Sequence, residues 1–379
     1  MASQLELAWA NLTYRKTRTA AGVAGVAIAI LLLFMQLGFY DSSVRSSTMV
    51  FDQLDFDIAL RSPQYAHVRA ANTLPRRRLS QAEAVAGVAR AFPLYVGNAT
   101  YQEPGTGMRR EVVVLGVDPR SQPFALPELS RQTSRLKQAD AAIMDAITQR
   151  DYEPVRVDRS AAIEDRRVRI AGTYRYGTGL VADASIFVSD ETFSRLFPRQ
   201  PPSDVSIGLA KLEPGADVDA VVSELRSRLP PDVQVLSRRA MEAAEQHTWV
   251  SVRPLGIMFT SGVVLALTVG GVIIYQILTF DITHRLRQYA TLKAIGYPQA
   301  FIRAVVLRQA LLYVALAAGP GLLLAYVLYA VFRAVTHLPM LMSLPRIALV
   351  LALAVTVATA AGTLAIRRLN NTDPADLFG

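Results

Sequence analysis

Chemistry at a protein site needs a nucleophile beside a base, a set of metal ligands, or a loop shaped for phosphate, and each leaves a spacing in the sequence. The chain contains no GxxxxGK[ST] phosphate loop, no HExxH zinc motif and no GxSxG nucleophile elbow. Its four histidines, His67, His247, His284 and His337, stand far apart without ligand spacing, as surface or core histidines do. Cysteine is absent, which removes thiolate metal sites, redox pairs and disulfides together. The sequence therefore offers no catalytic residue, no metal site and no directly bound cofactor; where ATP and Mg are involved, they sit on another chain. The basic run Arg76-Arg77-Arg78 reads as a solvated loop, with anionic headgroups or an acidic partner as the competing reading.

The segment Gln288–Tyr297 is patterned for contact instead of catalysis. Tyr289, Leu292 and Ile295 or Gly296 recur at three- to four-residue spacing and share one helical face, while Thr291 and Lys293 point elsewhere. Gly296 stands where a helix C-cap is expected and Pro298 blocks continuation, so the spacing predicts a short, sharply ended amphipathic helix. The competing reading is an interhelical loop on lipid headgroups, with Tyr289 and Tyr297 as interfacial anchors.

The elements that hold this segment are membrane helices. With 379 residues, 51% hydrophobic and only 19% charged, the chain is too apolar to consist of soluble domains alone. Its net charge of +9 comes from Lys and Arg spread along the chain and flanking apolar runs, which fits a membrane better than nucleic acid. Four runs, at 20–40, 255–280, 306–332 and 346–366, approach the ~20 residues that cross a bilayer core. The first reads as a retained signal anchor, because its apolar run is long and no small-residue cleavage site clearly ends it.

Basic residues set the orientation. Arg15, Lys16 and Arg18, then Arg285, Arg287, Lys293 and Arg303, then Arg367 and Arg368, all fall on one side of four spans. That side is cytoplasmic, in a bacterial inner membrane, with both termini inside. The expected order is a cytoplasmic amphipathic segment (1–19), a first span (20–41), a periplasmic α+β domain in two lobes (42–250) and a second span with its stalk (251–280). A cytoplasmic coupling segment (281–303), a third span (304–332), a short periplasmic loop (333–345), a fourth span (346–366) and a cytoplasmic tail (367–379) follow. The fold class is an integral membrane α-helical protein with a large α+β extracytoplasmic domain inserted between helices 1 and 2. No charge occupies the centre of a span, which argues against a proton relay or hydrophilic channel.

Gly262, Ala266 and Gly270 repeat every fourth residue, as do Ala354, Ala358 and Gly362. Each set allows close backbone approach, either within one subunit or at a homodimer seam. Gly319-Pro320-Gly321 predicts a kink in the third span. In the outer domain, 51–61 alternates like a strand, and Ser80 with Glu83 reads as a capping box that opens a helix over 80–91. Strands are expected at 111–117 and 166–174, then a strand, a cap at Ser189 or Asp190 and a short helix over 185–197. A β-α-β unit spans 205–237, and 238–253, free of breakers until Pro254, predicts a helical stalk running into the second span.

Several segments together resemble the DevC-like permeases, a branch of the FtsX/MacB superfamily of ABC transporter membrane subunits. They are LAWANLTYRKTR, PLYVGNATYQ, VVVLGVDP, LPEL, SIGLAKLEPGADV, VIIYQILTFDI, YATLKAIGYPQA, LPMLM and NTDPADLFG. The most specific is YATLKAIGY, at 289–297, which the resemblance makes the element that couples to a cytoplasmic ATPase through Gln288, Tyr289, Leu292, Lys293, Ile295, Gly296 and Tyr297. The resemblance further implies a homodimer clasped by two ABC ATPase subunits, a periplasmic membrane-fusion adaptor and, through it, a TolC-like outer-membrane channel. Arg287-Gln288 and Arg308-Gln309 depart from the branch, each placing a neutral amide where it tends to carry a carboxylate. An FtsX-like scaffold signalling to cell-wall hydrolases and a lipoprotein-releasing permease share the same plan.

Overall fold

The computed structural model describes residues 4–14, 16–148, 155–177, 179, 182–252, 254–285, 288, 291–292 and 295–370. In chain order its elements begin with α1 (Gln4–Thr13), α2 (Lys16–Asp52), β1 (Ile58–Arg61), β2 (Leu74–Pro75), α3 (Arg77–Glu83), β3 (Val88–Gln102) and β4 (Arg109–Val117). Then come α4 (Pro127–Ser130), a 3-10 turn (Thr133–Lys137), β5 (Ala141–Asp145), β6 (Ser160–Ile163), β7 (Arg166–Tyr174), β8 (Ser185–Ser189), α5 (Asp190–Leu196) and β9 (Asp204–Val205). The chain continues through β10 (Ile207–Leu212), α6 (Val218–Arg228), β11 (Gln234–Ser237), α7 (Arg238–His247) and a π-helical turn (Thr248–Val252). It ends in α8 (Pro254–His284), α9 (Gln299–Thr336) and α10 (Leu344–Asn370). Two compact units divide the chain: residues 1–41, 257–332 and 340–379, and residues 42–256 and 333–339.

The first unit is a helix bundle. Four helices, Lys16–Asp52, Gly256–His284, Gln299–Thr336 and Leu344–Arg367, are long and apolar enough to cross a membrane. α9 continues through Gly319-Pro320-Gly321, where a side chain on Gly321 would meet Ile30 and the Ala27 carbonyl of α2. The glycine there serves a close helix–helix approach.

The second unit is the α+β domain between the first and second spans. Nine strands form one sheet in the order β11-β1-β10-β3-β4-β8-β5-β7-β6, and β6 pairs again with β3 through Ile163 and Ala162. Strands β3, β4, β8, β5, β7 and β6 thus close a ring, while β10, β1 and β11 extend from β3. The two expected lobes share one sheet, with β3 belonging to both. Most pairings are antiparallel; β4–β8 and β5–β7 are parallel. Alternation explains the uninterrupted apolar run in β4. Val112 and Val114 enter one core with Ile186, Val188 and Leu225, whereas Val113, Leu115 and Val117 enter another with Phe187, Phe51 and Met241. Both faces of the strand are covered, so both sets are hydrophobic.

Two local expectations are corrected. Residues 51–52 belong to α2, not to a strand, and only Ile58–Arg61 is extended. Ser42, Ser43, Ser46 and Ser47 form a buried face of this helix, on which the Ser46 hydroxyl donates to the Ser42 carbonyl (2.7 Å) and the Ser47 hydroxyl to that of Val44 (2.7 Å). The apolar Phe51, Leu54 and Phe56 pack into the core around the turn that follows. Ser80 is no cap: α3 starts at Arg77 and buries Arg78, Leu79 and Ala82. Gly87, at φ +88°, then turns the chain into β3. The expected cap at Ser189 is present, its hydroxyl accepting from Thr192 N (3.2 Å), and at the start of α6 the Asp217 carboxylate accepts from Asp219 N (3.0 Å).

Candidate coupling site

Gln288, Thr291 and Leu292 are helical, whereas Tyr289 and Lys293 lie outside the described residues. Thr291 O accepts from Ile295 N (3.0 Å) and Leu292 O from Tyr297 N (3.0 Å), the closing bond of a Schellman turn. Gly296 occupies its left-handed position at φ +98°, with open space where a side chain would point. Ile295 and Gly296 therefore fall in the turn and not on the helical face. Leu292 is half-buried, Ile295 is 71% exposed, and the Tyr297 ring lies 4.8 Å from that of Phe301 at the start of α9.

Just before this segment, in the last turn of α8, the Asp281 carboxylate is buried in a polar knot. Arg18 of α2 reaches its Oδ1 at 2.7 Å, and Oδ2 accepts from Gln309 Nε2 (2.6 Å) and Tyr313 OH (3.4 Å) of α9. The Arg18 guanidinium also lies 3.8 Å over the Phe280 ring. Three helices are thus tied through one charge. Losing a partner of such a buried pair costs about 3–5 kcal/mol, because the remaining charge stays desolvated. The sequence carries one signal of it, a lone carboxylate at the end of an otherwise uncharged span. Its partners are remote in sequence and unannounced.

Family models match the two parts of the chain that the fold separates. Residues 19–228 match the MacB-like periplasmic core domain, more than half of the chain, and residues 260–374 match the FtsX-like permease C-terminal region. The chain belongs to the FtsX/MacB superfamily of ABC transporter permeases. An uncharacterized ABC transporter permease of Mycobacterium tuberculosis is 26% identical over 374 residues, covering 97% of each chain. One of Mycobacterium bovis is 23% identical over 375 residues, again covering 97% of each. Among solved structures, the extracellular domain of the noncanonic ABC-type transporter YknZ from Gram-positive bacteria aligns at 12% identity and TM-score 0.33, covering 48% of this chain and 98% of that one. The periplasmic region of MacB from Actinobacillus actinomycetemcomitans aligns at 8% identity and TM-score 0.36, covering 51% and 94%.

In this FtsX/MacB permease the amide at 309 has a physical reason. Its NH₂ donates to Asp281; a glutamate there would bring a second carboxylate into hydrogen-bond range of the first. Gln288 is exposed, and its Oε1 lies 3.5 Å from Arg285 Nη1. The small-residue stripes are occupied within the chain. A side chain on Gly262 would meet Gln36, one on Gly270 would meet Ala29, Ala266 is buried, and Gly362 faces Leu307 and Ala310. At the opposite end of the bundle Arg346 pairs with Asp41, and Tyr329 OH donates to the Phe34 carbonyl.

In the outer domain of the permease the carboxylates of Glu245 and Asp145 are completely buried. Glu245 of α7 accepts from Tyr65 OH and from Val68 N (3.4 Å), beside the facing His67 and Trp249 rings. Burial raises its pKa above the usual carboxylate range, against the opposing hydrogen bond from Tyr65. Asp145, at the end of β5, accepts backbone N–H bonds from Ile147 (2.8 Å), Tyr176 (3.3 Å) and Gly177 (2.6 Å). Neither carboxylate has a nucleophile or a second carboxylate at hand among its bonded partners. Among the described residues no group of three or more His, Asp or Glu side chains is arranged to hold a metal ion.

Proposed function

We infer that this permease works as a DevC-like exporter subunit, a homodimer clasped by two cytoplasmic ABC ATPase subunits. It passes ATP-driven motion to its periplasmic domain, with both termini in the cytoplasm. The domain engages a membrane-fusion adaptor leading to a TolC-like channel, and the cargo is a lipid, glycolipid or other envelope-directed molecule. The observation that carries this reading is the Gly296-ended helical turn set between α8 and α9, one step from the Asp281 knot. A push on that turn reaches three spans at once, because α2, α8 and α9 share the Asp281 carboxylate. One of them, α2, also carries Asp52 at its far end, which accepts from Tyr176 OH (3.1 Å) in the outer domain. The uncharged span centres agree with transmission of motion in place of a polar pathway.

Leu292 is the residue to test. Under this reading it enters an apolar groove of the ATPase, and Leu292→Asp places a charge there at a cost of several kcal/mol, on the order of a buried unpaired charge. Co-purification of the ATPase should then fail while the permease still inserts at wild-type level. Undiminished recovery with normal ATPase stimulation would remove Leu292 from the coupling contact.

A further inference from the structure

Within the helix-bundle unit a cavity of about 310 Å³ opens where the first turns of α2 meet the last turn of α8. Two guanidinium groups, Arg18 and Arg285, and the His284 imidazole line it, against the single carboxylate of Asp281. That carboxylate is already engaged by Arg18, Gln309 and Tyr313, so the cavity presents net positive charge to an incoming group. Its height along the helices is fixed by their ends. α2 begins at Lys16 and α8 ends at His284, and the spans cross the hydrocarbon between those ends and the opposite face, so the cavity lies at the boundary of hydrocarbon and headgroups.

We propose that this cavity binds the phosphate of an anionic glycerophospholipid, with Arg285 and Arg18 as its cationic contacts. A free phosphate would satisfy the same charges, but the surroundings fit a lipid. Phe280 is exposed on α8 while its ring contacts both Arg18 (3.8 Å) and His284 (4.1 Å), so an apolar surface for an acyl chain adjoins the cations. Leu5 and Trp9 of α1 are exposed one turn apart, as on a helix lying in the interface. Tyr14, whose ring lies 5.8 Å from the Arg285 guanidinium, also lines the cavity. Basic pockets between membrane helices recognise anionic headgroups by the same combination of charge and depth. The proposal rests on the chain spanning a membrane and is independent of the docking role given to Leu292. A lipid seated here would touch α2 and α8 beside the knot and so bias the element that the coupling segment moves.

The test is native mass spectrometry of the full chain released from detergent micelles. Phosphatidylglycerol and phosphatidylcholine of identical acyl chains are added in parallel, with inorganic phosphate as a competitor. Wild type should hold one phosphatidylglycerol per chain under activation that strips phosphatidylcholine, and millimolar phosphate should leave it in place. Arg285→Gln should weaken retention about tenfold, as expected for one lost charge-assisted contact, and Arg285→Lys should restore most of it. Arg303→Gln, an exposed basic residue on α9 outside the cavity, should change nothing. Equal retention of the two lipids by wild type overturns the proposal without reference to any variant. So does unaltered phosphatidylglycerol binding in a well-folded Arg285→Gln chain, and displacement by phosphate would assign the cavity to a free anion.

Discussion

At Asp145 two physical effects oppose each other. Burial disfavours its charge, while three backbone N–H donors favour it, and burial wins, raising the pKa to about 6. In the unfolded chain the same group titrates near 3.8, so between those values the folded state holds more protons. Stability from this group is therefore gained as pH falls below about 6 and lost as pH rises through it, with an upper bound of about 3 kcal/mol. Asp145→Asn removes that dependence and sets an NH₂ against backbone donors, at a cost of about 1–3 kcal/mol. Thermal unfolding at pH 7.5 and pH 5 should show the gap between wild type and Asp145→Asn widening at the lower pH. A gap that stays constant would mean that the amides, not burial, set the titration. Such residues are poorly legible in sequence. Asp145 closes an ordinary apolar strand, and its three partners are backbone amides, which have no residue type. Asp281 is visible at the end of an apolar run, but only the folded bundle brings Arg18, Gln309 and Tyr313 around it.

The stalk shows where element-scale reading succeeds and fails. No breaker separates Arg238 from Pro254, and the sequence predicts one helix through both; instead α7 stops at His247 and Thr248–Val252 form a π-helical turn. Side-chain packing decides this. Met241, Glu245 and Trp249 follow one buried stripe, and the wider turn lets the chain meet Gly256, where an added Cβ would strike the Val250 backbone. Gly256→Ala should destabilise by about 1–3 kcal/mol, the range for forcing atoms into an occupied space. Gly319→Ala, with nothing near the new methyl, should be neutral or stabilising by up to about 1 kcal/mol on helix propensity. Detergent-solubilised melting curves of the two variants would separate them, and equal losses would show that the Val250 contact does not constrain the stalk. Strand β4 and the Ser189-capped α5 were legible because burial on both faces and a cap hydroxyl each leave a local pattern. The closure of β6 onto β3 leaves none, since it rests on two paired residues far apart in sequence.

At the scale of the whole molecule, orientation in the membrane is the property on which the proposed ATPase and adaptor contacts both depend. It is argued from charge alone. The segments bearing Lys16 and Arg18, then Arg285 and Arg303, then Arg367, alternate with the outer domain and the short 337–343 connection, as four spans require. A positive flank is held on the cytoplasmic side because moving it across the bilayer against the membrane potential costs about 2 kcal/mol per charge at 100 mV. Ser203 lies exposed in the outer domain and Thr291 lies exposed in the coupling segment, so both are accessible to solvent, and the proposed orientation sets them on opposite sides of the membrane. The native chain has no cysteine, so a thiol introduced at either position reports without background. In intact spheroplasts a membrane-impermeant maleimide should modify Ser203→Cys and leave Thr291→Cys unmodified; after permeabilisation both should react. Reaction of Thr291→Cys in the intact cells, with Ser203→Cys protected, would place the 288–297 turn on the side without ATP, and no cytoplasmic ATPase could then dock on Leu292.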